Sequence, residues 1–210
     1  FFFKPGQVGQ ISVFGAGEST FAISSSPKRS EYVQFSVMKT GEVTTALFEL
    51  SEGDKVGLRA PLGNWFPYEE MRGKNILFIG GGLGMARLHS LITFVLENRR
   101  DYQRLRIIYG ARTPNDLCFK RDIKTWQRRD DIEIVLTVDT EFPGWEHKIG
   151  FVPAVLAEEA PSPENTVAIT CGPPAMIKFV LKELEKLDFK DENVITTLER
   201  RMKCGIGLCG

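Results

Sequence analysis

No apolar run in the 210 residues approaches the roughly 18 that a membrane-spanning helix needs, so a membrane span is not expected. Charge of one sign is missing too. The 27 Lys and Arg balance 27 Asp and Glu, which removes any general case for nucleic acid or an anionic membrane surface as partner. The pairs Arg99-Arg100, Arg128-Arg129 and Arg200-Arg201 then read as solvated faces. Four cysteines are too few for a disulfide scaffold, and Cys118 and Cys171 have no spacing partner, so a reducing, cytoplasmic compartment is expected. Histidine is scarcer still: His89 and His147 show no ligand spacing, which leaves them surface or packing roles. No Ser-His-Asp set or carboxylate pair suggests catalysis by side chains alone. Repeats and low-complexity tracts are absent. The chain opens on Phe1-Phe2-Phe3 without an initiator Met, so a targeting segment ahead of it stays an open question.

What is present suffices for a substantial core and two modest domains, with 42% apolar and 26% charged residues. The focal point is a junction. The apolar run Asn75-Ile76-Leu77-Phe78-Ile79 passes directly into Gly80-Gly81-Gly82-Leu83-Gly84, which reads as strand, phosphate loop and helix. The helix would start near Gly84 and carry Met85, Leu88, Leu91, Ile92, Val95 and Leu96 on one face. Glycines let backbone approach a ligand closely, and the amides and dipole of a helix N-terminus favour an anion such as a pyrophosphate. The same glycines also serve a tight structural corner, and the spacing is not a strict G-x-G-x-x-G, since Arg87 stands at the third glycine counted from Gly82.

Upstream of this junction the chain reads as β, with short runs at Val8 to Phe14, Phe21 to Ser24, Tyr32 to Met38 and Lys55 to Ala60 between turn residues. An antiparallel barrel or small sandwich is expected, interrupted by a helix from Thr44 to Leu50 that opens after Gly41. Tyr68 to Lys74 would be a polar linker. Downstream, strands at Asn75 to Ile79, Leu105 to Gly110, Ile132 to Val138, Thr166 to Cys171 and Asn193 to Leu198 alternate with helices, one of them Pro174 to Leu187 and another holding Trp126 in its core. That rhythm predicts an α/β doubly wound parallel five-stranded sheet. The loops Gly80 to Gly84, Gly110 to Thr113 and Cys171 to Met176 would converge at its carboxyl ends.

The ordered set Gly41-Glu42-Val43-Thr44, Gly80-Gly81-Gly82-Leu83-Gly84, Tyr109-Gly110-Ala111-Arg112 and Cys171-Gly172-Pro173-Pro174-Ala175-Met176 resembles the ferredoxin-NADP reductase superfamily. The ending Leu198 to Gly210, with Cys204 and Cys209, narrows the resemblance. It points to the branch of flavin and iron-sulfur subunits that includes sulfhydrogenase gamma, the corresponding subunit of anaerobic sulfite reductase and the electron-transfer subunit of dihydroorotate dehydrogenase. The resemblance spans essentially the whole chain. It implies an all-β FAD-binding barrel over residues 1–72, incomplete at its start, an NAD(P)-binding domain over 73–201, and the beginning of an iron-sulfur segment over 202–210.

The resemblance also assigns sites. The family flavin motif Arg-x-Tyr-Ser falls on Ser19-Thr20-Phe21-Ala22, so both its Arg and its Ser are replaced. Thr20, Phe21 and Ala22 would face the isoalloxazine, with backbone of Ile23 and Ser24 along the ribityl chain; a plain core role for Phe21 is the alternative. Gly41, Val43, Thr44 and Thr45 would hold the flavin pyrophosphate. Gly80, Gly81, Gly82, Leu83 and Gly84 would hold the nucleotide pyrophosphate, and Cys171, Gly172, Pro174 and Met176 would border the nicotinamide. The family commonly has Pro where this chain has Arg87, which would stand near the phosphates or face solvent. Arg112, beyond the second parallel strand, leans toward NADP over NAD. Cys204 and Cys209 match the first interval of C-x4-C-x2-C spacing, half of a 2Fe-2S site whose other ligands would lie beyond Gly210; free thiols or a zinc knuckle are the alternatives. The implied protein moves hydride between pyridine nucleotide and FAD, and single electrons between FAD and the cluster. Its partner would be a larger complex of hydrogenase, sulfite reductase, dihydroorotate dehydrogenase or bifurcating type. The alternative is a flavin-binding adaptor that docks and wires a partner without using its own nucleotide.

Overall fold

A computed structural model describes residues 1–29 and 31–197. Its N-terminal part is a three-stranded antiparallel sheet of order β2-β1-β3, formed by β1 (Val8–Val13), β2 (Gly17–Ala22) and β3 (Gly57–Leu62). β1 and β2 make a hairpin in which Val8 pairs with Ala22 and Val13 with Gly17. The turn glycines Gly15 and Gly17 both take positive φ, which a side chain would resist. Helix α1 (Glu42–Glu49) starts two residues before the expected Thr44, because Gly41 takes the N-cap position in extended conformation.

The expected strand from Tyr32 to Met38 does not form; it contributes one isolated bridge, Ile23 to Phe35. Its alternation is real, but the ladder it would extend stops at Ile23. Beyond that point the carbonyls of Ser24 and Ser25 accept from His89 Nδ1 and Ser90 Oγ, each at 2.7 Å. Serine side chains replace the ladder: Gln34 N donates to Ser25 Oγ at 3.1 Å, and Ser36 Oγ donates to Ser24 Oγ at 3.2 Å.

From residue 75 every strand pair is parallel. β4 (Asn75–Gly81), α2 (Met85–Glu97), β5 (Leu105–Ala111), α3 (Lys120–Trp126), β6 (Glu133–Val138), β7 (Lys148–Ile149), α4 (Val152–Glu159), β8 (Thr166–Cys171), α5 (Pro174–Lys186) and β9 (Val194–Thr197) follow in turn. The sheet has six strands in the order β7-β6-β5-β4-β8-β9, one more than expected. The extra strand, β7, is two residues long and pairs only Thr137 with Lys148 and Val138 with Ile149, too short to leave a hydropathy signal. β4 lies between β5 and β8, so the direction of winding reverses beside it and opens a crevice at the strand ends.

Both faces of this sheet are covered, which is why β4 reads as an unbroken apolar run. Ile76 and Phe78 pack with Leu88, Leu91, Val95 and Trp126 on the α2 and α3 side. Leu77 and Ile79 pack with Val155, Leu156, Val180 and Leu184 on the α4 and α5 side. Each such burial stabilises the fold by roughly 1.5–3 kcal/mol. Of the six apolar α2 positions named from the sequence, Met85, Leu88, Leu91, Ile92 and Val95 are buried, and Leu96 is partly buried against the same core.

The stretch from Tyr68 to Lys74 is more than a polar linker. Met71 is 1% exposed, Tyr68 meets Phe94 of α2 edge-on at 4.7 Å, and Tyr102 Oη donates to the Tyr68 carbonyl at 3.1 Å. Among the described residues no helix is long and apolar enough to cross a membrane.

Candidate active site at the strand ends

The glycine loop is built by close contacts. A Cβ on Gly84 would stand 2.6 Å from the Cys171 carbonyl oxygen, and one on Gly172 would stand 2.6 Å from Met176 Cε. A Cβ on Gly81 would collide with Met176 Sδ. The loops Gly80 to Gly84 and Cys171 to Met176 therefore touch, and only glycine permits it. Gly82 is different: its φ is +51° and nothing lies within 4 Å of its Cβ position, so its outer face is open. A short 3-10 turn, Gly82–Gly84, feeds into α2, the Met85 amide donating back to the Gly82 and Leu83 carbonyls; the amides at the start of this continuous turn are the ones that favour an anion.

Tyr109, whose bonding role sequence reasoning passed over, fixes this loop from behind. Its hydroxyl donates to the Gly82 carbonyl at 2.9 Å and accepts from Cys118 N at 2.8 Å. Burial pushes the phenol well above its ordinary pKa, so it stays a neutral donor. It heads the Tyr109-Gly110-Ala111-Arg112 motif, but its bonding role is not legible there, because its partners lie 27 and 9 residues away.

At the end of β5, Arg112 is exposed, as the sequence placed it, but it is not alone. Parallel pairing sets Ala111 beside Val138, and Asp139 N then donates to the Ala111 carbonyl at 3.2 Å. Burial raises the Asp139 carboxyl above its usual range, and the nearby Arg112 charge opposes this. An acid and a base thus share the position where a ribose 2′ group is read in dinucleotide folds. Only the sheet register brings Asp139 there.

On the β half, Thr20, Phe21 and Ala22 are half-buried on β2, an edge strand, whereas Ile23 and Ser24 are fully buried. The Ile23 and Ser24 amides donate to the carbonyls of Gln7 and Gln34 at 3.2 and 2.8 Å. At the other end of β2, Val43 Cγ2 lies 3.6 Å from the Cβ position of Gly17, which sets the α1 start beside the strand. Thr44 Oγ1 accepts from the amides of Thr40 and Gly41 at 2.9 and 2.8 Å and donates to the Gly41 carbonyl at 2.9 Å. Its hydroxyl is therefore engaged in shaping the turn, and the remaining first-turn amides are what α1 offers to an anion; Thr45 follows, with its own amide already on the Gly41 carbonyl at 2.8 Å.

Between the two halves lies a cavity of about 220 Å³ lined by Gly6, Asn64, Trp65, Phe66, Arg87 and residues 195–197. Arg87 is thus turned toward the crevice between the halves. Thr197 of β9 is paired with Cys171, and Cys171 is fully buried where the Cys171 to Met176 loop begins. Cys204 and Cys209 lie outside the described residues. Among the described residues no group of three His, Cys, Asp or Glu could hold a metal ion.

Known proteins share this sequence and fold. Residues 78–182 match the oxidoreductase NAD-binding domain family. The chain is 38% identical to sulfhydrogenase 1 subunit gamma of Pyrococcus furiosus, over 99% of this chain and 72% of that one. It is 35% identical to a probable dihydroorotate dehydrogenase B (NAD(+)) electron transfer subunit of Thermococcus kodakarensis, over 99% and 78%. A ferredoxin NADP+ reductase from Neisseria gonorrhoeae, solved with FAD and NADP, superposes with a TM-score of 0.77 at 18% identity, over 94% of this chain and 87% of its own. The chain belongs to the oxidoreductase NAD-binding domain family, alongside the sulfhydrogenase gamma and dihydroorotate dehydrogenase electron-transfer subunits.

Proposed function

We propose that this chain is the electron-transfer flavoprotein subunit of a larger redox complex. It would pass hydride between a pyridine nucleotide and FAD at the crevice, and single electrons between FAD and a 2Fe-2S cluster. The observation that carries this reading is the contact of the Gly81–Gly84 loop with Cys171, Gly172 and Met176 around the open face of Gly82. It brings an anion-accepting helix start and a shaped, largely apolar loop within one nucleotide's reach. FAD supplies the conversion between two-electron and one-electron chemistry; the protein supplies position.

In this reading residues 1–72 hold the flavin, 73–201 the nucleotide, and 202–210 begin the cluster segment. Thr20, Phe21 and Ala22 present the open edge of β2 to the ring. Ile23 and Ser24 serve by holding the strand, since their amides are already bonded to Gln7 and Gln34. First-turn amides at Val43 and Thr44 would take the flavin pyrophosphate, with Gly41 and Thr45 shaping the turn that presents them. Each helix-terminus charge contact is worth about 0.3–1 kcal/mol, so several must act together. Gly80, Gly81, Gly82, Leu83 and Gly84 take the nucleotide pyrophosphate, and Cys171, Gly172, Pro174 and Met176 border the nicotinamide.

Asp139 beside Arg112 shifts the preference toward NAD. A carboxylate accepts from a ribose 2′-hydroxyl but repels a 2′-phosphate, which Arg112 alone would welcome. Cys204 and Cys209 hold half of the cluster, and the terminal partner is of hydrogenase, sulfite reductase, dihydroorotate dehydrogenase or bifurcating type.

A second reading, a flavin-binding adaptor that does not use its nucleotide crevice, is favoured by Arg87 lining the cavity between the halves and by the missing Arg and Ser of the flavin motif. Anaerobic addition of NADH or NADPH to the flavin-loaded protein separates the two. Bleaching of the flavin band is expected, with NADH the more effective; a flavin reducible by dithionite but by neither nucleotide establishes the adaptor.

A further inference from the structure

The two scarce histidines have unequal surroundings. His147 lies on the surface beside Trp145. His89 is 5% exposed on α2, the helix that starts at the glycine loop. Its Nδ1 lies 2.7 Å from the Ser24 carbonyl oxygen, and its Nε2 lies 2.9 Å from Asp122 Oδ2 of α3. The ring stacks on Phe119 at 3.9 Å with an 18° tilt.

A carbonyl oxygen only accepts, and so does an ionised carboxylate. The Asp122 carboxyl is held below its usual range, first by its hydrogen bond from His89, so it is ionised. The ring nitrogens thus join two elements: Nδ1 donates to the Ser24 carbonyl, which can only accept, and Nε2 meets the Asp122 carboxylate. The charged groups around it are Asp122 on α3, Glu97 on α2, and Arg29 on the loop after β2, which stands 3.6 Å from Glu97.

The contact is not isolated. Three consecutive residues just beyond the flavin strand, after Ile23, are each held by α2: Ser24 by His89, Ser25 by Ser90 Oγ at 2.7 Å, and Ser26, whose hydroxyl donates to the Glu97 carboxylate. Ser24, Ser25, Ser26 and Ser90 are all buried. One helix therefore carries the nucleotide loop at its start and grips the flavin strand along its side.

We propose that His89 is a positioning residue for hydride transfer: bridging the Ser24 carbonyl and Asp122, it fixes the backbone after the flavin strand to α2 and α3, setting flavin and nicotinamide in register. The assignment rests on the flavin reading above. Its physical content is that small displacements of reacting groups are costly, a misplacement of about 1 Å being worth on the order of a hundredfold in rate.

The first measurement is a proton–nitrogen correlation spectrum of the histidine side chains in the full chain at neutral pH. His89 Nδ1 is expected at a protonated shift, as its contact with the Ser24 carbonyl requires, with Nε2 moving in Asp122→Asn; an unprotonated Nδ1 overturns the proposal. The second is stopped-flow reduction of the flavin-loaded protein by NADH. His89→Gln is expected to slow flavin reduction at saturating nucleotide about tenfold or more, with nucleotide affinity and dithionite-reducible flavin unchanged. His89→Arg, which can donate to the Ser24 carbonyl and pair with Asp122, is expected to restore most of the rate. A wild-type rate in His89→Gln overturns the positioning role. Wild-type protein that NADH does not bleach sinks the flavin-nucleotide reading instead, and the nitrogen spectrum still decides the state of His89.

Discussion

Glycines of one loop serve two different purposes, and substitution separates them. At Gly82 the constraint is backbone conformation: a side chain at φ +51° has open space around it but meets the left-handed penalty of about 1–2 kcal/mol. Gly82→Ala is therefore expected to lower stability by about that amount, read as a shift in denaturation midpoint, and to weaken nucleotide binding through the lost close approach. At Gly84 the obstacle is the Cys171 carbonyl and the Gly172 Cα, 2.6 and 2.7 Å from a new Cβ. Backbone cannot step aside as a side chain does, so Gly84→Ala is expected to abolish nucleotide binding in a titration that Gly82→Ala only weakens. At the far end of the crevice, Asp139→Ser is expected to raise kcat/KM for NADPH and lower it for NADH. A change of about 1.4 kcal/mol in the difference of barriers is tenfold in this ratio, and an unmoved ratio would remove Asp139 from the nucleotide site. Gly82 was legible in the sequence because glycine after an apolar run is a local pattern. Asp139 and the loop-fixing role of Tyr109 were not, because both depend on the parallel register of β4, β5 and β6.

Helix α2 bears on three neighbours, and its stability and pH behaviour follow from them. Its inner face is pure packing: Leu88 is fully buried between sheet and helix, so Leu88→Ala is expected to cost about 2–5 kcal/mol, measured by chemical denaturation. Its outer side is ionic. Because the Asp122 carboxyl has a folded pKa below its unfolded value near 3.9, the native state binds protons less readily than the unfolded state there. The stability from this contact is present above the unfolded pKa and is lost as pH falls through the folded one. Acid unfolding of the wild type is therefore expected to be steeper below about pH 4 than that of Asp122→Asn, and identical slopes would show that the contact contributes nothing. The 3.6-residue spacing announced the inner face of α2 clearly. Its outer face gave no such signal, since His89, Ser90 and Glu97 read as ordinary polar positions until the serine segment is seen against them. The same segment explains the strand that did not form at Tyr32 to Met38: alternation reports which side chains face inward, not whether the neighbouring backbone is still available to pair.

For the whole molecule, the direction of the chain at its described end matters most. β9 lies at one edge of the sheet, and Thr197, the last described residue, is in register with Cys171 at the start of the Cys171 to Met176 loop. Cys204 follows Thr197 by seven positions, a reach of at most about 25 Å at 3.3–3.6 Å per residue. Cys204 is therefore tethered within that distance of the crevice, wherever the intervening chain goes. The full-length protein, purified anaerobically, is expected to contain iron and labile sulfide, with a reduced-cluster resonance that either Cys204→Ser or Cys209→Ser removes. Because Thr197 and Cys171 belong to a sheet that is complete without the cluster, both variants are expected to keep flavin bleaching by NADH at the wild-type rate while losing onward transfer of single electrons to an external acceptor. Zinc in place of iron, or a resonance that survives Cys204→Ser, would remove the cluster from this terminus and leave a flavoprotein that exchanges electrons with its partner from the flavin directly.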